Sequence, residues 1–89
     1  MVFYWYIISN LIVQWGNKEN ASISANLDYI NISLPISFTT KFSYFANASN
    51  MLWVVKPYET TTLSQMVFSV QNSGSFWTTT YMYWFAIGF

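Results

Sequence analysis

The sequence predicts an all-β fold, a small antiparallel β-sandwich or partly closed barrel of about eight short strands, and three observations predict it. Val, Ile, Thr, Tyr, Phe and Trp dominate every stretch that reads as ordered, while strong helix formers are few. Turn-forming residues recur at close intervals between those stretches. Two stretches alternate apolar and polar side chains with a period of two, as a strand does when one face meets a core and the other meets water. They are Ile30, Ile32 and Leu34 against Tyr29, Asn31 and Ser33, and Met66, Phe68 and Val70 against Val67, Ser69 and Gln71.

The first strand is expected over about residues 2–8, and Ser9-Asn10 then makes a tight hairpin in which Asn10 takes a positive φ. Further strands are expected at about 11–16, 28–34, 41–46, 51–56, 64–71, 75–79 and 81–88, with ends good to a few residues. Gly16 allows a turn or bulge straight after Trp15, and the Asn- and Ser-rich stretch from Gly16 to Leu27 reads as a polar connection. Pro35 ends the third strand, and Asn72-Ser73-Gly74 supplies another turn. With no linker and no internal repeat, residues 1–89 read as a single domain.

A chain of 89 residues buries only part of its surface and has little stability to spare. The usual staples are missing: no Cys offers a disulfide or thiolate site, no His offers the commonest metal ligand, and no metal or other cofactor is expected. Oligomerisation is the remaining common solution. Charged residues are 7% of the chain, against about 25% in an ordinary soluble domain. The longest apolar stretch, Met1 to Val13, is interrupted by Ser9-Asn10 and is too short for a membrane helix, so no membrane insertion is expected. It also lacks the basic start and small-residue cleavage site of a secretory signal. Lys18, Lys41 and Lys56 are the only cations, too few to neutralise a phosphate backbone, so nucleic acid is not an expected partner.

Three strands are apolar on both faces. Phe3, Trp5 and Ile7 oppose Tyr4, Tyr6 and Ile8; Met51, Trp53 and Val55 oppose Leu52 and Val54; Tyr83, Phe85, Ile87 and Phe89 oppose Met82, Trp84 and Ala86. One face of each strand can fill a core, and the other needs a second cover, most simply another subunit. The alternative is a thick central sheet within one chain. Trp53 is the test residue, a ring expected to matter for assembly if it lies between subunits.

Leu11-Ile12-Val13-Gln14-Trp15-Gly16 resembles the first block of the bacteriophage tail-fibre tip family, a strand ending in a Gln-Trp-Gly triplet. Later landmarks keep that family's order: a strand ending in Leu34-Pro35 followed by Phe38, a strand from Phe42 to Ala46, Phe68-Ser69-Val70 with the turn before Phe76, and the closing Tyr83-Trp84-Phe85-Ala86-Ile87-Gly88-Phe89. The resemblance covers about Asn10 to Phe89. It implies a homotrimer at the tip of a fibre, carried on the virion outside the host and binding a bacterial surface glycan or protein. Its alternative is a structural cap that terminates and registers the fibre trimer while another segment binds the host. Family members often have a Gly-rich first connection where this chain has Asn17-Lys18-Glu19-Asn20, and residues 51–64 are distinctive. Because such domains cap longer fibres, the chain is an excised tip, a stand-alone reading frame or one piece of a split fibre. Trp15, Gly16, Pro35, Trp53, Trp84 and Gly88 read as fold or trimer determinants, with bare backbone at Gly88 on which an indole such as Trp15 can lie.

Catalysis is poorly supplied, and no enzyme activity is expected. Glu19, Asp28 and Glu59 are the only carboxylates, and the many serines lack a His base. No Gly-rich phosphate loop is present. Binding is better supplied, since sugars are held by aromatic faces with amides, hydroxyls and charges around them. Lys56, Tyr58, Glu59 and Thr61 form such a set on a loop, and Trp77 with Thr78 and Thr79 is a second. The bland readings are a Tyr58 ring folded onto the core and a Trp77 ring used in subunit packing.

Overall fold

The computed structural model describes the whole chain except residues 1, 24–26, 50–52, 59–61 and 73–77. Seven strands run as β1 (Val2–Ile8), β2 (Leu11–Ile23), β3 (Leu27–Ser33), β4 (Phe42–Ala48), β5 (Trp53–Pro57), β6 (Gln65–Asn72) and β7 (Thr78–Gly88). They form a four-stranded sheet, β1-β2-β7-β4, and a three-stranded sheet, β3-β6-β5, with every pairing antiparallel. The fold is the expected all-β sandwich, elongated at 46 × 23 × 16 Å. No described residue is helical, so no helix there could cross a membrane.

Strand alternation decides what each sheet buries. On β6 Met66, Phe68 and Val70 point inward and are sealed from solvent. Their register partners Ile32 and Ile30 on β3, and Val55 on β5, line the same face. Opposite them stand Met82, Trp84 and Ala86 of β7 with Phe42, Tyr44 and Ala46 of β4. The small residues Gly16 and Ala46 flank Trp84 in register, leaving room for its indole on the inner face. The smaller sheet covers only part of the larger one, with β3 lying near β2 and β5 near β4. Strand β1 overhangs, so Phe3, Trp5 and Ile7 are exposed although they share the inner face with Gln14.

Several expectations need correction. Strand β2 does not stop at Gly16 but continues to Ile23, with its bulge between Lys18 and Ala21 rather than after Trp15. Beyond Asn17 it pairs with β7 alone, and the polar composition that reads as a loop belongs to this two-stranded ribbon. The two last predicted strands are one where described, because Thr78, Thr79 and Thr80 continue β7 opposite Ile23, Ser22 and Ala21; residues 75–77, the start of the first of them, lie outside the described residues. In the hairpin it is Ser9, at φ 52°, and not Asn10 that takes the positive φ. Trp53 is 6% exposed inside the chain's own core, so its ring is not left for a neighbour. Nor does Trp15 lie on Gly88. Its register neighbours put it on the outer face beside Tyr4 and Phe85, whereas Gly88 faces inward against Phe42.

Gln14 is fully buried, and its amide works as a second backbone. Nε2 donates to the Ile36 carbonyl at 2.7 Å, and Oε1 accepts from the Ile36 N–H at 3.1 Å. The connection after Pro35, whose own side chain is half-buried, is thereby pinned to β2. Leu34 N–H to the Ser64 carbonyl and Phe38 N–H to the Leu63 carbonyl fix its other side. Gln14→Leu keeps the side-chain volume but strands both Ile36 groups. Urea unfolding is expected to show a loss of about 1–3 kcal/mol, and a variant as stable as the parent would mean water replaces both bonds.

Candidate functional site

The two outward faces differ in chemistry. On the four-stranded sheet Tyr4, Trp15, Phe85 and Phe45 stand in one register row across all four strands. Tyr4 stacks on Trp15 with centroids 5.9 Å apart, and Phe45 stacks on Phe85 at 5.2 Å. Tyr4, Tyr6, Ile8, Phe45 and Tyr83 are each more than half exposed around this row. Exposed apolar surface of this extent is uncommon on monomeric proteins and marks an interaction surface.

The outer face of the three-stranded sheet is amphipathic instead. Tyr29, Ser69 and Lys56 form a row across β3, β6 and β5, with Asn31, Val67, Gln71 and Val54 beside it. Tyr58 follows Pro57 at the end of β5, and its N–H bonds to the Val67 carbonyl at 2.8 Å. Its ring lies 4.7 Å from that of Tyr29, tilted by 50°. Both rings remain open to solvent, Tyr29 48% and Tyr58 37% exposed, so Tyr58 is not folded onto the core.

Tyr44 sets the position of Tyr58 from the opposite sheet. Its ring packs edge-on against Phe68 at 5.2 Å in the core. Its hydroxyl donates to the Tyr58 carbonyl at 2.7 Å, with the Val67 carbonyl as a longer alternative at 3.2 Å, and accepts from the Tyr58 N–H at 3.1 Å. A phenol anchored in the core thus holds the backbone of the exposed ring.

The hydroxyl of Tyr29 is held above its ordinary value, first by a hydrogen bond to the Tyr58 side chain and then by the charge Tyr58 would carry. The upward shift means that the fold favours the neutral phenol. Any linked stability is present below the ordinary tyrosine value and is lost as pH rises through the raised one. Across neutral pH the Tyr29 phenol is therefore uncharged and able to hydrogen-bond a ligand.

Of the expected binding residues, Lys56 and Tyr58 fall on this face, while Glu59, Thr61 and Trp77 lie outside the described residues. Sequence reasoning missed Tyr29, which joins Tyr58 only because β3 and β5 both pair with β6. Asp28 accepts the Tyr29 N–H at 2.8 Å, a contact between neighbours within β3. Among the described residues no three Asp, Glu, His or Cys gather into a metal site.

Two antiparallel sheets, one with an aromatic outer face and one with an amphipathic one, define a small β-sandwich. The chain belongs to the family described as "Putative tail fiber protein gp53-like, C-terminal", whose model matches residues 7–89. It is thus a tail-fibre C-terminal domain and a component of the phage tail. Its fold is similar to that of the R1 pyocin fiber of P. aeruginosa, in a structure of the fiber's C-terminal residues, with TM-score 0.70 and 15% identity over 89% of this chain. The chain spans 23% of that pyocin chain. A structure of an N-truncated R1-type pyocin tail fiber is similar over 100% of this chain and 87% of its own, with TM-score 0.70 and 13% identity. No curated protein matches the chain.

Proposed function

We propose that the domain is a non-catalytic, homotrimeric fibre tip at the host surface, and that it binds a bacterial surface glycan with the outer face of its three-stranded sheet. The carrying observation is the division of labour between its outer faces. The aromatic row from Tyr4 to Phe45 suits burial against a second copy, and a heterologous contact closed by threefold rotation gives each copy the same environment on a fibre axis. The Tyr29–Tyr58 pair offers tilted aromatic faces for sugar C–H groups, with Lys56, Ser69 and Asn31 placed in register to read hydroxyls.

Light scattering of the purified domain is expected to give the mass of three chains, and Trp15→Ser to reduce it to one while the far-ultraviolet β signature stays. A monomeric parent at micromolar concentration removes the trimer from this reading. Tyr58→Ala is expected to leave melting nearly unchanged and to weaken each site by about 1–3 kcal/mol. Adsorption to host cells then falls more steeply than monovalent glycan affinity, because three sites on one surface act through effective concentration. If the parent trimer forms but adsorbs to no cell and no glycan, the domain is a structural cap and recognition belongs to another segment of the fibre.

A further inference from the structure

We infer that the groove beside Phe89, at the hairpin end of the four-stranded sheet, is a second subsite for a neutral saccharide. The inference takes its ligand class from the glycan-binding reading above but shares no residue with the Tyr29–Tyr58 pair. An open groove of about 460 Å³ runs between the β1–β2 hairpin and the connection leading into β4. Ile7, Ile12 and Phe89 give its lining apolar surface, and Ser9, Asn10, Thr39 and Thr40 add hydroxyls and an amide to it. A further groove of about 320 Å³ takes another flank of Phe89, reaching Lys41 and Ser43. Both volumes lie in the range of small-ligand sites, about 300–1,000 Å³.

A monosaccharide has the complementary form, with one apolar C–H face and a rim of hydroxyls. The lining hydroxyls and amide are uncharged, and the single charged side chain along either groove, Lys41, holds its ammonium 5.6 Å from the centre of the Phe89 ring. The proposed groove itself has no charged side chain among its lining residues, Lys41 belonging to the adjoining one, so it offers no cation of its own to pair with a sugar carboxylate. The groove is also held in place by its backbone. The Thr40 and Lys41 N–H groups both donate to the Phe89 carbonyl, at 2.8 and 3.1 Å, and the Phe89 N–H donates to the Lys41 carbonyl at 3.0 Å. Ser9 keeps the positive φ that the two-residue hairpin requires, which fixes its position in the groove wall. Little ordering remains to be done when a ligand arrives.

The test is amide-resolved NMR titration of the isotope-labelled chain in its native assembly. The probes are methyl glycosides of glucose, galactose and N-acetylglucosamine, with methyl glucuronide as the charged comparison. At least one neutral probe is expected to shift the amides of Ser9, Asn10, Thr39, Thr40 and Phe89, with a dissociation constant of about 1–10 mM. Phe89→Ala and Thr40→Val should each weaken it about fivefold, as expected for one lost contact; Thr40→Val carries the test should Phe89→Ala fail to fold. Shifts confined to Tyr29, Tyr58 and their neighbours would overturn the subsite and support the other face. Binding of the glucuronide alone, or no shift with any probe, also overturns it. Host-cell adsorption by the same protein then decides the tip reading independently.

Discussion

Trp84→Ala is expected to lower the stability of the domain by about 3–5 kcal/mol. The ring is 2% exposed at the centre of the inner face, between Gly16 and Ala46 in register and opposite the sealed row of β6. Removing an indole there leaves a cavity that two paired sheets cannot collapse to fill. A domain of this size has only about 5–10 kcal/mol to lose, so urea unfolding should show a large fall in midpoint with little change in slope. Trp84→Phe is expected to cost far less, because the indole N–H has no hydrogen-bond partner and only ring volume is lost. The contrast with Trp15 is informative. Trp15 lies on the outer face, so its loss should act on assembly while Trp84 acts on the fold. A Trp84→Ala protein that unfolds like its parent would falsify this placement of the core.

Gly88→Ala should be nearly as damaging, although it adds one methyl group. A Cβ at that position would overlap the Lys41 carbonyl oxygen and approach the Phe42 Cβ and Cα to 2.5 and 2.6 Å. Two of these atoms are backbone and the third sits on it, so no rotamer change relieves the contact. The pairing of Phe42 with Gly88 must open instead, and it is the first rung of the β4–β7 ladder. The cost is expected near the top of the overpacking range, about 3 kcal/mol. Faster amide exchange at Phe42 and Tyr44 should accompany it. Unchanged exchange there, with unchanged stability, would show that β4 shifts without penalty.

Much of the fold was legible because strand periodicity is local. Ile30 and Ile32, and Met66, Phe68 and Val70, point inward as their alternation required, and Tyr83 and Trp84 were correctly set on opposite faces. Which face of β1, β5 or β7 turned inward was not legible, since both were apolar, so the choice between core and subunit seam for Trp53 stayed open in the sequence. The ribbon formed by the end of β2 hid in a polar composition that loops share. Gln14 was visible as part of a triplet, but its role depends on Ile36 arriving from across the core. Tyr58 was found as an aromatic on a polar segment, while its partner Tyr29 came from a strand nearly thirty residues earlier. Contacts of that separation follow from strand order, which no short window of sequence contains.

Strand order also sets the timing of synthesis and folding. In the four-stranded sheet β7, latest of its strands in chain order, lies between β2 and β4 and pairs with both. When the ribosome has finished β6, the three-stranded sheet can already pair, but the larger sheet exists only as the β1–β2 hairpin and a solitary β4. Its aromatic row is split, with Phe85 not yet translated. Completion waits for a contact between segments some sixty residues apart, the slow kind of pairing in β proteins. A chain truncated before Thr78 would keep its larger sheet in two unjoined parts, with the exposed apolar surface and open strand edges that favour aggregation.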